Sequence, residues 1–97
     1  RYVDHELGRL LAELERLGRD DDTLVVLTAD HGESLGEHGV WFEHGYDLYE
    51  PSLRLPFVAR LPGGRAGARV AAPVDLIDLW PSALEWLGLP PEPGLPG

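Results

Sequence analysis

The sequence predicts an α/β protein in which helices pack on a largely parallel sheet. Three observations carry that expectation. Apolar residues mark one helical stripe over residues 3–17, and the run at residues 23–28 is apolar on both faces. The 97-residue chain then continues as loop, strand and helix. Helix, strand, loop, strand, helix is the alternation that covers a parallel sheet with helices.

Val3, Leu7, Leu10, Leu11, Leu14 and Leu17 repeat as one face of a helix of period 3.6. Glu6, Arg9, Glu13 and Arg16 fall mostly off that face, and Gly18 suits the position just past the helix end. Asp20, Asp21 and Asp22 then read as a solvated turn. Residues 23–28 (TLVVLT) read as a buried strand, being β-branched, apolar and bounded by turn formers. Residues 29–50 show no steady period and read as a long loop, with at most one helical turn near residues 34–37. A loop of that length in a compact domain is generally functional. Residues 55–60 read as a second strand with Pro56 near its start, where a missing N–H is tolerated. Pro62, Gly63 and Gly64 turn the chain, and Val70 to Val74 reads as short and extended. Residues 75–87 read as helix in two pieces, Pro81 opening the second as its first residue and Gly88 closing it. The tail, residues 89–97, is rich in Pro and Gly and reads as irregular.

Seventeen acids stand against eight bases, all of them arginine, for a net charge of −9. No basic stripe is present, which argues against nucleic acid as a partner. With no cysteine, neither a disulfide nor a thiolate metal site can form, and the redox compartment stays open. The apolar runs are a few residues long, so no membrane segment is predicted. Residue 1 is arginine, so the start of the gene product is expected to lie upstream and localisation is left unknown.

Residues 28–45 (TADHGESLGEHGVWFEHG) hold three of the four histidines and four carboxylates. They follow directly on the predicted strand, and ligands gather at the carboxyl ends of strands in α/β sheets. Asp30 and His31 can face one divalent cation if Gly32 lets the backbone turn sharply. The same pair can instead form a hydrogen bond within a tight turn. A carboxylate with an imidazole suits Zn²⁺ or Mn²⁺, whereas Ca²⁺ normally prefers oxygen ligands. His38 and His44 each precede a glycine, six residues apart, which is no standard ligand spacing. Each is either a surface residue or, in a cleft, a proton donor or anion binder. Arg54 can clamp an oxyanion or pair with Glu50.

Beyond spacing, residues 24–39 (LVVLTADHGESLGEHG) and 42–63 (FEHGYDLYEPSLRLPFVARLPG) closely resemble the metal-binding segment of the sulfatase family, in the alkaline phosphatase superfamily. Residues 7–14 (LGRLLAEL) and 74–90 (VDLIDLWPSALEWLGLP) extend the resemblance over nearly the whole chain. A bare DHG would carry little. DHGE, GEHG, LYEPSLRLP and DLWPSALEWLG in that order carry much more.

The resemblance implies a fragment of an alkaline-phosphatase-like sandwich, the C-terminal part of a sulfatase catalytic domain. It implies that Asp30 and His31 ligate the catalytic cation, Ca²⁺ by family precedent where donor softness alone favours Zn²⁺ or Mn²⁺. His44 matches a position near the lysine that holds the sulfate in many members, and this chain has no lysine. It is therefore expected to stabilise the ester oxygens or to protonate the leaving alkoxide. Glu33, His38 and Arg54 match recurrent positions and are expected to support the site or face the substrate.

The chain also departs from the family. Sulfatases attack with a formylglycine made within a C/S-x-P-x-R motif, and no such motif occurs here. Formylglycine is thus expected in a part of the protein outside this chain, with the remainder of the domain as partner and a sulfate ester as substrate. Alone the chain is expected to be inactive. Two other assignments fit parts of the pattern. Phosphoethanolamine transferases carry a DHGESLGE-like string with Zn²⁺ and a threonine nucleophile, and phosphonate and phosphodiester hydrolases are close. A natively short, non-catalytic binding domain would need no metal.

Overall fold

The computed structural model describes residues 1–64 and 67–97. It is an α/β chain that divides into two units, one of Arg1–Val25 with Arg60–Gly97, the other Val26–Ala59.

In the first unit, α1 spans Tyr2–Arg16. Its end is a Schellman turn, in which Gly18 N–H donates to the Glu15 carbonyl at 2.9 Å and Arg19 N–H to the Leu14 carbonyl at 2.9 Å. Gly18 takes φ +64°, open to glycine without a Cβ penalty. Glu6–Arg9 and Glu13–Arg16 pair on the solvated face at 2.8 and 2.6 Å. The apolar stripe is not covered, and Leu10 is 59% exposed. Past Arg60, Asp75 and Asp78 form a reciprocal capping box around a 3₁₀ turn at Leu76–Asp78. That turn runs straight into α3, Leu79–Trp86. Pro81 is therefore the third helical residue and not the first. Its missing N–H costs nothing there, because the first four amides of a helix have no intrahelical acceptor.

The second unit holds the candidate site and, apart from Val25 and Arg60, the two strands that flank it in sequence. β1 (Val25–Leu27) and β4 (Val58–Arg60) are hydrogen-bonded neighbours in a two-stranded sheet. Both are shorter than residues 23–28 and 55–60 suggest. A strand extends only as far as its partner, and Pro56 offers no donor. The expected burial of β1 is also not seen, since Leu27 stays 45% exposed. A two-stranded sheet leaves its faces open to solvent.

Residues 29–50, expected as an irregular loop, contain an antiparallel ribbon. β2 (Ser34–Leu35) pairs with β3 (Trp41–Glu43), Ser34 opposite Glu43 and Leu35 opposite Trp41, with a register shift between. A 3₁₀ turn at Glu37–Gly39 joins the strands, and His38 takes φ 58° within it. A one-turn helix, α2 (Glu50–Leu53), follows with Pro51 in its first turn. Among the described residues the buried class holds two serines, Ser34 and Ser52, and no apolar side chain. No helix among them is long and apolar enough to cross a membrane.

The ribbon is tied to α2 by backbone. Gly32 N–H donates to the Ser52 carbonyl at 2.9 Å and Glu33 N–H to the Pro51 carbonyl at 3.0 Å. A four-residue helix leaves its last carbonyls without intrahelical donors, so those of Pro51 and Ser52 are free to accept. A Cβ on Gly32 would lie 1.9 Å from the Pro51 oxygen. Glycine is required here by close approach rather than by a positive φ, which replaces the sharp-turn role expected from sequence. Gly32→Ala should therefore destabilise the complete protein by about 3 kcal/mol or more, at the top of the overpacking range. Chemical denaturation of the two proteins checks this, and a change below about 0.5 kcal/mol would contradict the contact.

Candidate active site

Asp30 and His31 sit where the chain leaves β1 and before it docks on α2. The His31 backbone N–H donates to Asp30 Oδ1 at 3.0 Å, and His31 Nδ1 lies 2.8 Å from the Gly32 carbonyl. A carbonyl oxygen only accepts, so Nδ1 carries a proton, and in the neutral ring Nε2 keeps its lone pair. That nitrogen stands 3.8 Å from Asp30 Oδ2. The Asp30 carboxyl is held below the usual carboxylate range. Its own backbone amide contributes most, then the His31 amide, and the His31 charge assists. The Asp30 side chain is 89% exposed. The tight-turn alternative is seen in the His31 amide's bond to Asp30, and the two side chains stand close beside it.

Glu33 and His44 meet across the ribbon. His44 Nδ1 lies 3.3 Å from Glu33 Oε2 and 3.4 Å from Oε1. Nδ1–H therefore donates to the carboxylate, leaving Nε2 uncommitted. The His44 ring stacks on His31, centroids 3.9 Å apart and planes inclined by 20°. Asp30, His31, Glu33 and His44 thus form one cluster although 14 residues separate its ends.

His38 and Arg54 do not join it. His38 stacks on Tyr49 with centroids 3.8 Å apart. Its left-handed backbone is one that histidine adopts more readily than most residues. Arg54 pairs with Glu50 at 3.6 Å across one helical turn, both side chains largely exposed.

Sequence reasoning missed Asp47. Its Oδ1 accepts from the Ser52 hydroxyl at 2.8 Å and the Tyr49 amide at 3.3 Å, while Oδ2 accepts from the Ser34 hydroxyl at 3.4 Å. One signal was available: an acid two residues ahead of the cap of a short Pro-containing helix can take the amide two residues on. The serines carry no such signal.

Asp30 Oδ2 and His31 Nε2 can grip one cation between them, since their separation suits two ligands on a common ion. Two donors are part of a coordination shell. Among the described residues no group of three or more His, Asp or Glu side chains converges on one point. The donor set fits a divalent cation as a partial site, one carboxylate oxygen and one imidazole nitrogen.

An α/β scaffold here delivers an acid–imidazole pair beside a second histidine. The sulfatase family model matches residues 1–89, and the chain belongs to that family. It is 40% identical over 88 residues to an N-acetylglucosamine-6-O-sulfatase of Bacteroides thetaiotaomicron, covering 90% of this chain and 15% of that protein. It is 41% identical over 88 residues to a multifunctional alkaline phosphatase superfamily protein of Trinickia caryophylli, covering 89% of this chain and 17% of that one. Among solved structures, a complex with the substrate D-glucosamine-2-N,6-O-disulfate matches with a TM-score of 0.87 and 38% identity, over 98% of this chain and 19% of that chain. A phosphonate monoester hydrolase from Silicibacter pomeroyi matches at 0.86 and 41%, over 98% and 18%. The chain thus spans about a sixth of the length of these relatives.

The Asp47 carboxyl is held below its ordinary value, first by the Ser52 hydroxyl and then, against partial desolvation, by the Tyr49 amide and the Ser34 hydroxyl. A lowered value means that the ionised form stabilises the fold. That contribution is present above the ordinary carboxylate range and lost as pH falls through the folded value. Asp47→Asn should therefore lower the thermal midpoint most near about pH 7, and the gap should close as pH falls below the ordinary carboxylate range. A gap that stays constant throughout would refute the role of charge.

Proposed function

We propose that the complete protein carrying this chain is a sulfuric ester hydrolase, and that this chain contributes two metal ligands and one active-site histidine. The observation that supports it best is the cluster itself: Asp30 Oδ2 and His31 Nε2 3.8 Å apart, with His44 stacked on His31. Asp30 and His31 hold the divalent cation, Ca²⁺ as first choice, with Zn²⁺ or Mn²⁺ favoured by donor softness. When bound, that cation supplies Lewis-acid polarisation of the ester oxygens.

The chain's own residues perform three tasks. Asp30, already ionised, brings negative charge to the cation and loses little to proton competition. His31 is kept in its ligating tautomer by the Gly32 carbonyl, an outer contact of the kind that orients metal-bound imidazoles. His44 has Nδ1 committed to Glu33, so Nε2 is the atom that faces the ester. When protonated it donates a hydrogen bond to the ester oxygen and can pass its proton to the leaving alkoxide. The Glu33 carboxylate steadies the imidazolium. The nucleophile comes from elsewhere, a formylglycine in a part of the protein outside this chain.

A second reading rests on the phosphonate monoester hydrolase match. The same cluster would then act on a phosphonate monoester, whose anionic tetrahedral centre makes similar demands on a cation and a histidine. Turnover of an aryl sulfate against an aryl methylphosphonate by the complete protein separates the two. A non-catalytic domain would turn over neither and would be insensitive to chelator.

Asp30→Ala and His31→Ala should each lower bound metal and cut kcat/KM by about two orders of magnitude or more. Elemental analysis and aryl sulfate kinetics read both effects, and unchanged values in both variants would remove the metal assignment. His44→Ala should retain its metal and lose about 10²-fold, mainly in kcat. A pure rise in KM would limit His44 to binding.

A further inference from the structure

The hydrolase reading uses Asp30, His31, Glu33 and His44 and leaves Asp47 without a role. Yet Asp47 binds both buried side chains of the described chain, Ser34 and Ser52, and the amide of Tyr49 at the start of α2. We propose that Asp47 is a positioning residue that sets His31 and His44 against each other through α2, without a hydrogen bond to either.

Two continuous routes lead from its carboxylate to the cluster. In the first, the Ser52 hydroxyl binds Asp47, the Ser52 carbonyl accepts the Gly32 amide at 2.9 Å, and the Gly32 carbonyl holds His31 Nδ1 at 2.8 Å. In the second, the neighbouring Pro51 carbonyl accepts the Glu33 amide at 3.0 Å, and the Glu33 side chain holds His44 Nδ1. The routes leave adjacent carbonyls of one helical turn and end on two stacked rings. A shift of α2 therefore displaces both imidazoles, by different amounts. Ser34 closes the loop, since it follows Glu33 in sequence and returns to the same carboxylate. A one-turn helix has little stability of its own. Its place depends on contacts such as these.

The inference rests on the hydrolase reading for its kinetic consequence and on geometry alone for its structural one. In the complete protein, Asp47→Ala should lower kcat on an aryl sulfate about 100-fold with KM changed less than about threefold, the signature of misplacement by about an ångström. Asp47→Asn keeps an acceptor for Ser52 and Tyr49 and should recover most of the loss. Combined with His44→Ala, Asp47→Ala should cost clearly less than the product of the two single losses, because one of its two routes ends on His44. Wild-type kcat in Asp47→Ala, or losses that multiply in the double variant, would overturn the proposal. Should Asp47→Ala fail to fold, Ser52→Ala cuts the same route and must lower kcat about tenfold; wild-type kcat there would equally overturn it.

Amide hydrogen exchange at Gly32 and Glu33, measured without any ester, provides a separate arm. Exchange should quicken at both amides in Asp47→Asn and more so in Asp47→Ala, and unchanged protection would sink the link. This arm holds even if wild-type protein fails to hydrolyse sulfate esters, which would count against the hydrolase reading alone.

Discussion

The close approach of two backbones at Gly32 is the constraint on which the cluster depends. Two amides in succession, from Gly32 and Glu33, find the last free carbonyls of α2. Each side meets a need of the other. The residues leaving β1 carry amides with no strand to pair them, and α2 is too short to use its Pro51 and Ser52 carbonyls. Hydrogen bonding therefore draws the segments to a distance that no side chain at position 32 would permit. From that contact the chain enters the ribbon, which brings His44 back over His31.

The cluster gains direction from how its rings are held. Both imidazoles commit Nδ1, one to a carbonyl and one to a carboxylate. Both keep Nε2 available, and stacking fixes the rings nearly parallel. The two rings are thus oriented by different acceptors, His31 by the Gly32 carbonyl and His44 by the Glu33 carboxylate. Glu33 therefore has a contact of its own in the cluster, separate from that of Asp30. In the proposed function Asp30 would face the cation, and Glu33 orients the His44 ring.

Much of this was legible in the sequence, and the limits have physical causes. The helix at the start shows because its stripe repeats over four turns, a long enough signal to read. DHGE was recognisable because its composition is unusual for a strand end. The ribbon was not legible. β2 is two residues long, β3 three, and the turn between them uses left-handed backbone at His38 rather than an Asn-Gly pair. No period can be read from so little. Asp47 was missed for another reason. Its two serine partners lie 13 and 5 residues away, and neither interval belongs to a helix or a strand. Such contacts exist only once the chain has folded back on itself. Arg54 and His38 show the converse, since both look chemical in the sequence and both find ordinary neighbours, Glu50 and Tyr49.

What holds the Val26–Ala59 unit together also bears on how well it can place a reacting group. Its two buried side chains are serines, and the apolar residues around them, Trp41 and Leu48 among them, remain exposed. Apolar burial is non-directional and tolerates small slips of one element against another. Hydrogen bonds between backbone amides, carbonyls and a shared carboxylate do not, because they weaken steeply when misaligned. A cluster that must hold two imidazoles and two carboxylates in a fixed relation gains more from the second kind of contact. The short, polar, glycine-containing loop is thus the structural solution to the chemistry, and its lack of secondary-structure period follows from that.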